Sequence, residues 1–220
     1  MKIPWRWKET LKQNVARFLV ACMIVTLIPT SVITMASAAQ VVVKDEEELR
    51  EAYETVSNGD IIRLSHDIQL SEPLQWDRDI SITIDGSENL YKIMPSPDFP
   101  TAPYEQQFLI NITKTDVHFY HIIINGDGRV GGINIYNDCS QEQNYHFDAM
   151  TVVNTNRGAG NGSGVSISSY SDSVPVTNGF TNVNSTHVAI DNGTIFTNNY
   201  LAPDDSSSFG AALYTRGNVL

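Results

Sequence analysis

His118-Phe119-Tyr120-His121-Ile122-Ile123-Ile124-Asn125 leads through a glycine-bearing turn into Gly131-Gly132-Ile133-Asn134-Ile135-Tyr136. The first segment is an alternating run that stops at asparagine. The second is glycine followed by alternating small and apolar residues. Both patterns recur. The run returns as His146-Phe147-Asp148-Ala149-Met150-Thr151-Val152-Val153-Asn154, and again as His187-Val188 through Ile195-Phe196-Thr197-Asn198-Asn199. The glycine strand returns as Gly164-Val165-Ser166-Ile167-Ser168 and as Gly210-Ala211-Ala212-Leu213-Tyr214. Run and glycine strand alternate in fixed order, and successive glycine strands (Gly132, Gly164, Gly210) begin 32 and then 46 residues apart. A shared pattern at unequal spacing predicts stacked repeats whose loops differ in length.

Short strands separated by Gly, Asn and Asp are compatible with a sandwich as well as a solenoid. Three features favour parallel stacking. Asparagine tolerates the left-handed backbone region and suits a sharp bend between two strands of one repeat; stacked in register, its amides can hydrogen-bond along the stack. Like residues fall over like, with Ile135, Ile167 and Leu213 in one expected column and Phe119 over Phe147 in another; each buried side chain of this size is worth about 1.5–3 kcal/mol. Tight two-residue hairpin turns at even spacing, the mark of an antiparallel meander, are absent from the sequence.

Upstream of the repeats, residues 44–57 predict the chain's one helix. Asp45 is a favourable N-cap with Glu48 three residues on. Leu49, Ala52, Tyr53 and Val56 form one apolar stripe, Glu46, Glu47 and Glu48 occupy the first turn where the helix dipole favours negative charge, and Asn58-Gly59 ends the segment. A helix here would cover the apolar edge of the first repeat. Strands are predicted at 60–64, 67–70, 80–84, 108–112 and 117–124, and the proline-rich stretch 94–106 is predicted to leave the body as a loop.

The chain of 220 residues carries a formal net charge of −11. Its first 39 residues read as a secretory signal peptide: a head with Lys2, Arg6, Lys8, Lys12 and Arg17, an apolar core from Phe18 to about Pro29, and a small-residue site, Ala36-Ser37-Ala38, with signal cleavage assigned to Ala38 and Ala39. Removing them takes away five basic residues and one acid, leaving 9 Lys and Arg against 24 Asp and Glu in residues 40–220, a formal charge of −15. That balance argues against nucleic acid and anionic membrane surfaces as partners and leaves cationic partners, Ca2+ among them, open. One cysteine, Cys139, remains after signal removal and cannot form an internal disulfide.

Gly131-Gly132-Ile133-Asn134-Ile135, Phe209-Gly210-Ala211-Ala212-Leu213-Tyr214 and Ile195-Phe196-Thr197-Asn198-Asn199 resemble the glycine-rich and Phe-x-x-Asn repeats of right-handed parallel β-helix surface proteins. The broad group is the pectin-lyase-like fold, and the repeat style is most similar to bacterial polymorphic outer-membrane proteins. Only the copy at 196–199 has the full Phe-x-x-Asn form. The resemblance covers about residues 41–220. It implies an all-β, single-stranded right-handed parallel β-helix after the signal peptide, with a short N-terminal capping helix over the first repeat. It also implies secretion or cell-surface display. The chain stops where another run is due and shows no terminal capping pattern, so the β-helix domain, residues 40–220, is expected to be the N-terminal part of a longer protein, incomplete at its C-terminal end.

Enzymes of this resemblance cleave acidic polysaccharides, the lyases pairing calcium-binding carboxylates with an arginine that removes a proton. The residues that match such a site are Asp127 and Arg129 at the end of one run, Asp138 after the first glycine strand, and Asp148 and Arg157 in the next repeat. Carboxylates one repeat apart suit calcium, and an adjacent cation suits a substrate carboxylate. The hydrolase pattern is missing: Asp204-Asp205 is an adjacent pair in a Pro/Ser-rich loop, and no geometry places two carboxylates across one bond. His118, His146 and His187 each open a run. Stacking would invite a metal, but no shared further ligand is visible between the copies, so they read as a positional preference and no metal is assigned. Four Asn-x-Ser/Thr sequons, at Asn111, Asn161, Asn184 and Asn192, are expected by chance in so Asn-, Ser- and Thr-rich a chain. The expected function is a non-enzymatic extracellular or cell-surface module of bacterial type, binding a glycan or a host or cell-surface ligand along its side. The alternative is part of a pectate-lyase-like or other carbohydrate-active enzyme.

Overall fold

The computed structural model describes residues 38–100, 108–138, 140–156, 163–169, 186–201, 211–217 and 219–220. Residues 1–37 of the expected signal peptide, Cys139, Arg157 and Asp204-Asp205 lie outside the described residues.

The chain opens with β1 (Gln40–Val43) and α1 (Glu46–Thr55). The helix forms where its caps and stripe place it. The Asp45 carboxylate accepts from the Glu48 N–H at 3.0 Å, and Leu49, Ala52, Tyr53 and Val56 are all buried. Glu48 does not return to the N-cap N–H; it accepts instead from the N–H of Lys44, one residue earlier, at 3.0 Å. At the other end the guanidinium of Arg78 donates to the Val56 carbonyl at 2.9 Å and to the Tyr53 carbonyl, a cation placed where the helix dipole is negative.

Fifteen strands follow among the described residues, three to a circuit. The first circuit is β2 (Ile61–Leu64), β3 (Ile68–Leu70) and β4 (Leu74–Trp76). The second is β5 (Ser81–Asp85), β6 (Lys92–Pro95) and β7 (Phe108–Ile112). The third is β8 (Asp116–Tyr120), β9 (Ile123–Asn125) and β10 (Gly131–Asn137). The fourth is β11 (Gln143–Asp148), β12 (Thr151–Val153) and β13 (Val165–Ser169). The fifth is β14 (Thr186–Asp191), β15 (Ile195–Thr197) and β16 (Leu213–Gly217). Like strands of successive circuits pair in parallel into three sheets: sheet 1 is β1-β2-β5-β8-β11-β14, sheet 2 is β3-β6-β9-β12-β15, and sheet 3 is β4-β7-β10-β13-β16. The described residues are therefore all-β apart from one short helix, with three all-parallel sheets visited in the same cyclic order five times.

Register explains the core. Ile62, Ile84, Phe119, Phe147 and Ile190 stack along sheet 1. Ile68, Ile93, Ile124, Val152 and Phe196 stack along sheet 2. Leu74, Ile110, Ile133, Val165 and Leu213 stack along sheet 3. An aromatic series crosses the core from the helix, with Tyr53 to Trp76 at 5.8 Å, Trp76 to Phe119 at 6.0 Å and Phe119 to Phe147 at 5.9 Å between ring centroids. Such pairs add about 0.5–1.5 kcal/mol beyond burial.

Phe119 over Phe147 and Ile135 over Ile167 are as the sequence pattern predicts, but the third member of the second column is Thr215, not Leu213. The glycine columns give the reason. A Cβ on Gly132 would lie 2.4 Å from the Gly164 carbonyl oxygen, and one on Gly164 would lie 2.2 Å from that of Ala212. The backbones touch at this slot, so it is held by Gly132, Gly164 and then Ala212, two residues after Gly210. No described circuit lies on Ala212, and a methyl group is tolerated there. The proline-rich stretch also differs from expectation: Pro95 closes β6, and Leu74–Trp76, which had no expected strand, is β4.

The bends use left-handed backbone, and only partly through asparagine. Asn154 and Asn198 have φ of 53° and 52° at corresponding positions between sheets 2 and 3, where the third circuit uses Asp127 and Gly128. Between sheets 1 and 2 the same conformation is taken by His121, Ala149 and Asn192 (φ 50°, 51° and 47°). An asparagine ladder is present twice: Asn154 Nδ2 donates to Asn125 Oδ1 at 3.5 Å, and Asn134 Nδ2 to Asn111 Oδ1 at 3.2 Å.

Candidate functional site

Because side chains alternate across a strand, the residues between the buried ones of sheet 1 face outward, and parallel register aligns them in three columns. One runs Ser81, Asp116, Asn144, His187. The second runs Ile61, Thr83, His118, His146, Ala189, and the third Arg63, Asp85, Tyr120, Asp148, Asp191. This face is polar and aromatic where the opposite face is apolar. A concavity of about 400 Å³ lies over the first two columns, bounded by Asp116, His118, Asn144, His146 and His187. A second, of about 450 Å³, lies beside the third column, bounded by Arg63, Asp85, Tyr120 and His121.

The centre of the face is formed by the third and fourth circuits. The imidazoles of His118 and His146 stack with centroids 4.4 Å apart and planes 9° from parallel. One donor atom from each ring and one carboxylate oxygen of Asp148 all lie within 4.8 Å of one another. His118 Nε2 is 3.9 Å from Asp148 Oδ2, beyond hydrogen-bond length. Both His118 Nε2 and Asp148 Oδ1 are buried and have no hydrogen-bond partner. His146 Nε2 lies 2.9 Å from Asp191 Oδ2. Burial, and then the neighbouring His146, lower the pKa of His118 from the usual imidazole value, with Asp148 and Asp85 opposing weakly. A neutral imidazole offers one lone pair and one N–H.

The surroundings are better satisfied. Asp85 is buried and takes Arg63 through Nε at 2.8 Å and Nη2 at 2.7 Å, while its other oxygen accepts from the Ser87 N–H at 2.7 Å. Asp116 accepts from both the backbone and side-chain nitrogens of Asn144, at 2.9 and 3.2 Å. The third histidine stands apart: His187 pairs with Asn144, two residues before His146, and its Nε2 faces Glu142 Oε1 at 2.8 Å. A two-residue slip keeps the side-chain parity, so Val188 still stacks on Tyr145 and Ile190 on Phe147.

The residues matched to a lyase site are distributed differently. Asp127 and Arg129 share the bend between β9 and β10, where Arg129 donates to Asp127 at 3.1 Å and to the carbonyls of Ser96, Pro95 and Pro97 at 3.0–3.4 Å. That guanidinium clamps one circuit to the next. Asp138 follows β10, exposed, and accepts from the Ser140 N–H at 2.9 Å. Asp148 closes β11 on the outward face of sheet 1. The three described carboxylates thus sit at three different places in the circuit, Asp127 and Asp138 at the bends before and after β10 and Asp148 at the end of a strand of sheet 1. What the sequence does not reveal is the pairing of Asp148 with the two histidines. The signal available was His146 and Asp148 two apart in one strand, hence on one face, with His118 at the same position of the preceding run.

Among the described residues no helix is long and apolar enough to cross a membrane. Searches of family models, of curated proteins and of solved structures find no match to this chain.

Proposed function

We propose that the chain is a right-handed parallel β-helix module, secreted or displayed at the cell surface, that binds an extracellular glycan without turning it over. The cyclic visiting of three parallel sheets supports the β-helix, and the strong right-handed preference of parallel crossovers supports its hand. The observation that carries the function is the outward face of sheet 1. It sets aromatic and planar polar groups (Tyr120, His118, His146, Asn144, Asp116) side by side on rigid strands, next to two concavities. Sugar rings offer an apolar face for stacking and hydroxyls for hydrogen bonding, and side chains fixed by strand register lose little freedom on binding them.

The lyase alternative needs an arginine able to take a proton from substrate. Arg157 lies outside the described residues; among the described residues Arg129 is committed to Asp127 and three carbonyls, and Arg63 to Asp85, which favours binding over catalysis. Presenting the purified chain to a glycan array, and in parallel to uronate polymers with calcium, separates the two readings. Retention of one glycan class without formation of unsaturated product is expected. Release of unsaturated product would establish the lyase, and an empty array would remove the glycan reading.

A further inference from the structure

We propose that His118, His146 and Asp148 form a binding site for one divalent transition-metal ion of the zinc class, with its remaining coordination position open on the outward face of sheet 1. The site stands on its own geometry and does not depend on the glycan reading. Its three donors come from neighbouring strands held in register, His118 on β8 and His146 with Asp148 on β11, within 4.8 Å of one another. Two of those residues carry buried polar atoms with no partner, His118 Nε2 and Asp148 Oδ1. Buried polar groups in proteins are nearly always satisfied, and a vacant one points to a missing partner. The chain shows how it treats a carboxylate that needs none: Asp85, in the same column, is enclosed by Arg63 and the Ser87 N–H.

The donor set selects the ion. Two imidazoles and one carboxylate suit zinc and its neighbours, whereas calcium takes six to eight oxygens. Three protein ligands leave a fourth position for water or a ligand atom. Asp191, 2.9 Å from His146 Nε2, supplies the outer carboxylate that commonly orients a ligating histidine. The rings are nearly parallel as they stand. Because an imidazole lone pair lies in the ring plane, both rings must turn about Cβ–Cγ for bonds of about 2.0–2.1 Å to converge on one ion. The side chains of His118 and His146 are 34% and 38% exposed, which leaves room for that turn and a route for the ion.

The test is calorimetric titration of the tag-free, chelator-stripped chain with zinc chloride alone, followed by calcium chloride as competitor. One zinc per chain is expected, undisturbed by calcium. His118→Gln, His146→Gln and Asp148→Asn should each weaken binding by more than about tenfold, Asp191→Asn by about tenfold, and His187→Gln should leave it unchanged. As a check independent of variant folding, zinc should shift the imidazole resonances of His118 and His146 in the unaltered chain while leaving those of His66 and His187 in place. Absence of zinc binding, retention of full affinity in His118→Gln or Asp148→Asn, or shifts at His187 instead would overturn the site.

Discussion

The two faces of sheet 1 are made by the same strands in the same register, yet stacking has opposite consequences on them. Inward, Phe119 on Phe147 and Ile62 on Ile84 are like over like, and every added circuit buries more apolar surface. Outward, the same register lays His118 on His146 and brings Asp148 beside them. The two imidazoles repel when both are charged, and His118 Nε2 and Asp148 Oδ1 lack hydrogen-bond partners as they stand. A stacked fold therefore amplifies whatever its strands present. An apolar column becomes core, and a column of ionisable groups becomes a site, unless the chain supplies partners as it does for Asp85.

The contrast can be broken most severely from the inside. Phe147→Ala should cost about 3–5 kcal/mol of stability in denaturant unfolding, whereas His146→Ala, its neighbour on the other face, should change stability by no more than about 0.5 kcal/mol. Equal losses would mean that the outward column is also structural. Within the outer face two of the three carboxylates of one column, Asp85 and Asp148, sharpen the distinction. Asp85→Asn should cost about 1–3 kcal/mol, because Arg63 loses a paired partner, while Asp148→Asn in chelator should be close to neutral. Smaller still is the bend that follows β11. Ala149 sits at φ 51°, a region unfavourable to residues with a Cβ, so Ala149→Gly should raise stability by about 0.5–1 kcal/mol after the greater freedom of glycine in the unfolded chain is counted. The most delicate test is pH. Burial and His146 hold the pKa of His118 below its unfolded value, so the unfolded chain binds the extra proton first. With metal removed, stability should be level above about pH 6.5 and fall as pH drops from there towards the folded pKa, and His118→Gln should flatten that slope.

Much of this architecture was legible in the chain itself. The stripe Leu49, Ala52, Tyr53, Val56 and the cap at Asp45 place the helix, and the alternating runs place most strands. What could not be read were features decided between circuits. Leu74–Trp76 is too short to show alternation, and it is a strand because Leu74 and Trp76 pair with Ile110 and Ile112. The bends at His121 and Ala149 illustrate the same limit, since neither histidine nor alanine advertises left-handed backbone; His121 adopts it because its N–H must reach the Asp148 carbonyl of the next circuit, at 3.1 Å. The slips of Leu213 and His187 by two residues preserve every inward-outward assignment, so alternation alone cannot detect them. The site suffered for the same reason. His118 and His146 were visible as a repeat and Asp148 as a carboxylate, but only register puts the three together.

The proposed working surface of the molecule is the outward face of sheet 1 at the third and fourth circuits. Hydrogen exchange of the chain with and without its array-identified glycan tests it most directly. Added protection is expected in 116–120, 144–148 and 187–191, with the backbone of sheets 2 and 3 unchanged. Protection confined to sheet 2 or sheet 3, with these strands unaffected, would contradict it.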